Sequence, residues 1–322
     1  MLNIGISGAG YAGNYFVKAL KELNFPIAGI TNRTQERGEK LAKEAASNYY
    51  PSVGELVKDS GANALIIATS TDRHILDIKE AAAAGIKNIF CEKPVGVSLE
   101  ETIKIRKICE KFGVNISVGY KMRFEGIFQT ANDLVSKGRI GELVNISLNF
   151  YQTIPHSSWY LDSGFVRETM VHPLDLACWF AGTDPEYVMC STESFAGGKK
   201  EDRASLLLRY ITGFTATING GWIQDYPFVS GRKNICFEIV GKGGYICGIR
   251  PGHLLVCDQD GIQKIDFEQT DPVKAEVIDF VVRAEEKMLP AVGLDDAERV
   301  QNIIKAASIA QVSKKAEEIL II

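Results

Sequence analysis

Leu2-Asn3-Ile4-Gly5-Ile6-Ser7-Gly8-Ala9-Gly10-Tyr11-Ala12-Gly13 is the stretch that decides the fold. A short apolar run of strand character ends in G-x-G-x-x-G, and Tyr11–Leu23 then repeats its apolar residues at helical spacing. Strand, glycine turn and helix in that order are the context in which this motif binds a dinucleotide. Gly8 permits the tight turn, Gly10 lets a pyrophosphate approach the backbone, and Gly13 lets helix and strand pack closely. The helix N-terminus then offers N–H groups and a positive dipole to the phosphates. Tyr11 and Ala12, inside the motif, belong to the same expected cofactor site.

The end of the second strand, Ile27–Ile30, selects between dinucleotides. An Asp or Glu there would bind the ribose of NAD. The segment reads Thr31-Asn32-Arg33-Thr34, with no carboxylate at its tip. Arg33 can pair with a 2′-phosphate and Asn32 can hydrogen-bond it, which favours NADP over NAD. Arg33 stacked on adenine would suit either cofactor.

Outward from this motif, short apolar runs alternate with amphipathic helices to about residue 120. Strands are expected at 64–68, 88–91 and 115–119, and helices at 35–46, 53–58, 72–84 and 99–112. That alternation implies a parallel, doubly wound sheet. Beyond it, one helix at 124–137 precedes strands at 143–151, 187–195, 203–210, 213–222, 234–240, 244–248, 252–257 and 262–267. A helix at 169–182 interrupts them, and two more, 273–288 and 295–317, close the chain. The expected fold is an α/β Rossmann domain over 1–120. An α+β domain with a large, mostly antiparallel open sheet follows over 121–322, its last helix free to pack back on the first domain.

Composition excludes several classes. The chain has 322 residues and a formal charge of −4, with no basic footprint for nucleic acid and no apolar run long enough to span a membrane. The N-terminus lacks the basic leader of a secretory signal. Seven cysteines are scattered and never spaced CxxC, which fits a reducing cytoplasm and neither a zinc site nor a disulfide framework. No His/Cys/Asp cluster has metal-ligand spacing.

Cys91-Glu92-Lys93-Pro94 sits at the C-terminal end of a strand, the edge where open α/β sheets bind ligands. Further motifs follow in order: Thr69-Ser70-Thr71-Asp72-Arg73-His74, Gly119-Tyr120-Lys121-Met122-Arg123-Phe124, Glu168-Thr169-Met170-Val171-His172-Pro173-Leu174-Asp175, and Asp295-Asp296-Ala297. With the glycine motif, their order and spacing resemble the Gfo/Idh/MocA family of glucose–fructose oxidoreductase, inositol dehydrogenase and rhizopine-catabolism proteins. The resemblance runs nearly end to end.

It implies an NAD(P)-dependent oxidoreductase that interconverts a secondary alcohol and a ketone on a sugar, cyclitol or derivative, in a homodimer or homotetramer. Carried over by position, Lys93, Glu168 and His172 form the catalytic set. His172 would be the base, Lys93 the ammonium that stabilises an alkoxide, and Glu168 an orienting carboxylate. Thr69, Ser70, Thr71, His74, Glu92 and Lys93 are implied near the cofactor. Tyr120, Lys121, Arg123 and Asp175 are implied near a small-molecule substrate, and His156 and Trp159 join them from a loop before the site.

Glu168, His172 and Asp175 share a face if their segment is helical, although Pro173 disfavours helical geometry at His172 and could start a new helix. Three departures mark this chain: Glu168 stands where the family has Asp, Arg167 adds a charge beside it, and Lys121 replaces an Asn. They point to a different or charged substrate. Two other classes share the fold: an NAD-dependent glycosidase or C=C/C=N reductase, and a non-catalytic dinucleotide-binding regulator. Keeping both Lys93 and His172 argues against the regulator.

Overall fold

The computed structural model describes residues 2–154, 158–195, 197–223 and 233–320. They divide into two units, Met1–Phe124 with Asp271–Glu298, and Glu125–Thr270 with Arg299–Ile322. A boundary at 120 therefore misses a segment that returns to the first unit.

The first unit alternates β1 (Ile4–Ser7), α1 (Tyr11–Glu22), β2 (Ile27–Thr31), α2 (Gln35–Glu44), β3 (Asn48–Tyr50), α3 (Val53–Ser60), β4 (Ala64–Ile67), α4 (Thr71–Ala83), β5 (Asn88–Cys91), α5 (Leu99–Phe112) and β6 (Asn115–Val118). The parallel strands lie in the order β3-β2-β1-β4-β5-β6. This is the doubly wound order, whose direction reverses between β1 and β4 and opens a crevice at their carboxyl ends. All four residues of β4 are buried, as a central strand covered on both faces requires.

Local chemistry sets the helix ends. Ser52 caps α3 by accepting the Glu55 N–H and donating to the Glu55 carboxylate, and Gly61 (φ 71°) closes the helix in the left-handed region. β3 was not expected, because three residues are too few for a periodic signal.

The returning segment carries α9 (Pro272–Glu285), started by Asp271, whose carboxylate accepts the Val273 and Lys274 N–H groups. Its Val277, Phe280 and Val281 join Ile4, Ile6, Phe16, Leu20 and Phe90 in one buried cluster. Phe90 meets Phe16 and Phe280 edge-on at 5.1 and 5.9 Å. Burial of this apolar stripe is why 271–298 belongs to the first unit.

The second unit begins with α6 (Gly126–Ser136) and β7 (Leu143–Thr153), and continues through α7 (Ser158–Ser163) to α8 (Val171–Ala181). Then come β8 (Pro185–Glu193), β9 (Arg203–Tyr210), β10 (Thr215–Ile223), β11 (Lys233–Gly241), β12 (Gly244–Arg250), β13 (His253–Asp258) and β14 (Gly261–Ile265). Helix α10 (Leu294–Ser313) and β15 (Glu317–Glu318) end the chain. The sheet order is β14-β13-β12-β11-β7-β10-β9-β8-β15, and only β7 and β10 run parallel. The expected mostly antiparallel sheet is what forms, with one parallel pair inside it. Strands alternate: Ile146, Leu148 and Phe150 of β7 point into the core under α8, while Ser147 and Asn149 stay half-exposed on the other face.

Candidate active site

The glycine loop is built as its motif demands. Gly8 has φ +113°, and a Cβ there would lie 2.5 Å from the Ala68 carbonyl. Its N–H donates to Thr31 O at 2.8 Å, and Ala68 N–H donates to Ser7 O at 2.7 Å, so the loop is clamped between β2 and β4. A Cβ on Gly13 would sit 2.0 Å from Gly8 O. A Cβ on Gly10 would meet nothing within 4 Å. No side chain caps α1, leaving its positive end open to an anion. The loop thus fits a pyrophosphate: two glycines are demanded by packing, and the third is demanded only by whatever approaches from outside. Tyr11 is exposed beside it, its ring 4.5 Å from Tyr15 and the two hydroxyls 2.6 Å apart.

The ribose end differs from expectation. Asn32 does not present its amide to a ligand. Its Oδ1 accepts the Ala9 N–H at 3.0 Å and its Nδ2 donates to Thr34 O at 2.8 Å, bracing the glycine loop against the end of β2. Arg33 is exposed at the tip. Asp72 has its carboxyl held below the usual range, first by a hydrogen bond from Ser70 and then with help from the Arg33 charge. A cation and an anion therefore share this tip. Thr71 is buried, and the Thr69 hydroxyl donates to Asp77 at 2.9 Å.

His74 is a brace, which removes it from the cofactor contacts. It is buried, with Nδ1 3.1 and 3.2 Å from the Pro94 and Val95 carbonyls and Nε2 3.1 Å from Thr69 O. Burial, the largest influence on it, lowers its pKa from the ordinary value. It ties the loop after β4 to the turn after β5, and that turn carries Lys93.

In the turn, the Lys93 N–H donates to the Glu92 carboxylate at 3.1 Å, and the Lys93–Pro94 bond is cis. Lys93 itself is half-buried. Gly119 gives the Glu92 carboxylate room, since a Cβ there would lie 3.2 Å from Oε2. Cys91 is fully buried and burial pushes its thiol pKa well up, so it offers no nucleophile.

Lys121 and Arg123 form a short 3-10 turn. Arg123 is buried and donates to Asp296 at 2.8 Å, which makes it a structural anchor in place of a substrate contact. Tyr120 is likewise buried in the core. Sequence reading missed Glu276 of α9. It is buried, neither carboxylate oxygen has a hydrogen-bond partner among the described residues, and burial followed by the Glu92 charge pushes its pKa well up, against the pull of Lys121. Its signal was a lone acid on the apolar stripe of α9.

In the second unit, Val166–Met170 forms a π turn that runs directly into α8. Pro173 does not break the helix. It is the third residue of α8, and the wider π turn before it moves the carbonyls that the proline ring would otherwise strike. Glu168, His172 and Asp175 are all buried on this run. Thr169 anchors the turn: its hydroxyl oxygen accepts from Gln152 Nε2 at 3.1 Å and from Trp222 Nε1 at 3.2 Å. Arg167 Nε lies 3.6 Å from Glu168 Oε1. Glu201 accepts the Val166 N–H at 3.2 Å beneath Gly164 (φ +91°). His156 and the side chain of Trp159 lie outside the described residues. Among those residues, no group of His, Cys, Asp and Glu could hold a metal ion, and no helix is long and apolar enough to cross a membrane.

Comparison with known proteins agrees with this fold. Residues 2–120 match the oxidoreductase family with an NAD-binding Rossmann fold, and residues 128–247 match the GFO/IDH/MocA C-terminal domain. An uncharacterized oxidoreductase, YrbE of Bacillus subtilis, is 30% identical over 70% of this chain and 68% of its own. The myo-inositol 2-dehydrogenase of Thermotoga maritima is 24% identical over 81% of this chain and 79% of its own. The chain's matches span from 54% to 79% of the curated relatives' own lengths. An Agrobacterium radiobacter oxidoreductase, crystallised with NAD+, L-tartaric acid and magnesium, superposes with a TM-score of 0.90 at 21% identity, over 99% of this chain and 98% of that one.

Proposed function

The chain belongs to the Gfo/Idh/MocA family of oxidoreductases, and we propose that it interconverts a secondary alcohol and a ketone on a sugar, cyclitol or derivative, using a nicotinamide dinucleotide. One observation carries the cofactor half of this reading: Gly10 faces open space at the uncapped end of α1, while Gly8 and Gly13 are demanded by backbone contacts. The redox half rests on family membership with Lys93 and His172 both present.

Bound nicotinamide supplies the hydride acceptor or donor. Lys93, on a turn fixed by His74, would stabilise negative charge on the substrate oxygen. His172 would take the hydroxyl proton in oxidation and return it in reduction. Glu168, one π turn earlier, would orient that exchange. Arg33, exposed at the ribose end, supports NADP over NAD, and Asp72 beside it works in the opposite direction. The half-exposed face of the nine-stranded sheet supports a homodimer or homotetramer, and seven free cysteines support a cytoplasmic setting.

The test is titration with NADPH and NADH, followed by reduced-nicotinamide fluorescence, in wild type and Arg33→Ala. Saturable binding with NADPH preferred, and the preference lost in the variant, is the expected result. Tight NADH binding indifferent to Arg33 would overturn the NADP assignment, and absence of both would overturn the cofactor site. Lys93→Met should keep cofactor binding and abolish turnover on a polyol panel including myo-inositol. Retained turnover would remove Lys93 from the chemistry.

A further inference from the structure

Among the described residues, the other semi-buried arginines are spent. Arg106 and Arg250 each place Nε 2.6 Å from a carboxylate oxygen, and Arg123 places a terminal nitrogen at 2.8 Å. Arg167 is different. Its Nε is shut off from water and has no hydrogen-bond partner among the described residues, and Glu168 Oε1 at 3.6 Å is beyond hydrogen-bonding distance. The side chain is 34% exposed, whereas Glu168 is 2% exposed. A guanidinium carries five donors in a rigid fork and stays charged at any physiological pH. A partly desolvated one with its donors unspent favours an acceptor, and an anionic acceptor most. It sits in the π turn, one residue from Glu168 and five from His172.

We propose that Arg167 is a specificity-determining residue that takes a carboxylate of the substrate, so that the preferred substrates are polyhydroxy acids. This rests on the reading that Glu168 and His172 serve the reacting hydroxyl. A carboxylate fits better than a phosphate. Its two coplanar oxygens match the guanidinium fork, and the neighbouring Glu168 charge opposes a dianion more than a monoanion. The reaction balances without further reactants. The carbinol C–H leaves as hydride to the nicotinamide, the hydroxyl proton goes to the base, and the C–O bond becomes a carbonyl. The carboxylate is unchanged throughout.

The experiment offers matched pairs to the enzyme loaded with NAD+ or NADP+: D-gluconate and D-glucitol, D-galacturonate and D-galactose, L-tartrate and L-threitol. D-Glucose 6-phosphate is the phosphate arm. Reduced-nicotinamide formation reads turnover, and thermal shift reads binding. The acid of at least one pair should exceed its neutral partner in kcat/KM by about tenfold to a hundredfold. Arg167→Met should bring that ratio toward one, and Arg167→Lys should keep part of it.

Equal or better use of the neutral partners, an unchanged ratio in Arg167→Met, preference for the sugar phosphate, or no binding by any acid would each overturn the assignment. Should Arg167→Met lose NADH binding through misfolding, Arg167→Gln makes the same comparison. The two readings fail separately. Acid-selective thermal shifts lost in the variant, without reduced nicotinamide, sink the hydride-transfer reading alone. Turnover of neutral polyols alone sinks only the Arg167 assignment.

Discussion

Gly10→Ala and Gly13→Ala, three residues apart in one motif, should fail in opposite ways. At Gly13 the added methyl would lie 2.0 Å from Gly8 O and 2.9 Å from Gly8 C, and both atoms are backbone. Contacts of a Cβ do not fall below 3.0 Å, so about 1 Å of separation must be found. Gly8 cannot retreat, because its other side faces the Ala68–Thr69 backbone and its N–H is bonded to Thr31 O. Helix α1 must therefore shift outward. Overpacking of this kind is destabilising by about 1–3 kcal/mol, and each kcal/mol lowers the melting temperature of a domain of this size by about 2–4 °C. A displacement near 1 Å at a positioned site can also weaken function about a hundredfold.

At Gly10 the methyl meets nothing and φ is −86°, which alanine adopts freely. Its melting temperature should hold, or rise by the equivalent of about 0.4–1 kcal/mol through loss of unfolded-chain entropy. Its NADH affinity should nevertheless collapse, because the methyl occupies the pyrophosphate's approach. Thermal melts and NADH fluorescence titrations read both quantities on each variant. Wild-type affinity in Gly10→Ala, or a wild-type melting temperature in Gly13→Ala, would refute the reasoning.

Three further perturbations follow from the same contacts. Glu276 has its pKa raised by burial and then by Glu92, so the folded chain keeps a proton that the unfolded chain releases above its ordinary 4.5. Stability is then full below that pH and declines as pH rises toward the folded pKa. Glu276→Gln should flatten the decline in melts across pH 5 to 9, and parallel profiles would contradict it. Arg123→Ala takes the guanidinium away from Asp296, whose side chain is 16% exposed and keeps the Gly293 N–H. A loss of about 3–5 kcal/mol in denaturant unfolding is expected, with partial recovery on adding Asp296→Asn, and a loss under about 1 kcal/mol would show the pair to be dispensable. Thr169→Val removes the acceptor shared by Gln152 and Trp222 without changing shape. It should be destabilising by about 1–3 kcal/mol and slow turnover more than it raises KM, whereas unchanged kcat would free the π turn from any positioning role.

What the sequence disclosed follows the range of the forces involved. The glycine motif, the buried run at β4 and the alternation of β9 are written within a few consecutive residues, and they produced the doubly wound sheet and the second, mixed sheet. β3 and β15, of three and two residues, are held by pairing with strands elsewhere and leave no local period. The return of 271–298 to the first unit depends on Phe280 meeting Phe90, nearly two hundred residues away in sequence. Pro173 weakened the expectation of one continuous helical face because the π turn that accommodates it has no pattern of its own.

Side-chain roles were harder still, because identical residue types diverge by their distant partners. Asn32 had the chemistry to hold a phosphate but is consumed by Ala9 and Thr34, and His74 had that of a cofactor contact but is consumed by three carbonyls. Arg33, Arg123 and Arg167 read alike along the chain, each a cation beside a motif. Asp296, 173 positions from Arg123, makes that residue an anchor. Arg33 stays exposed, and Arg167 keeps its donors unspent next to a buried carboxylate. The arginines we propose to bear on ligands are those whose guanidinium donors the fold leaves unspent, a property of the folded chain that no local pattern could carry.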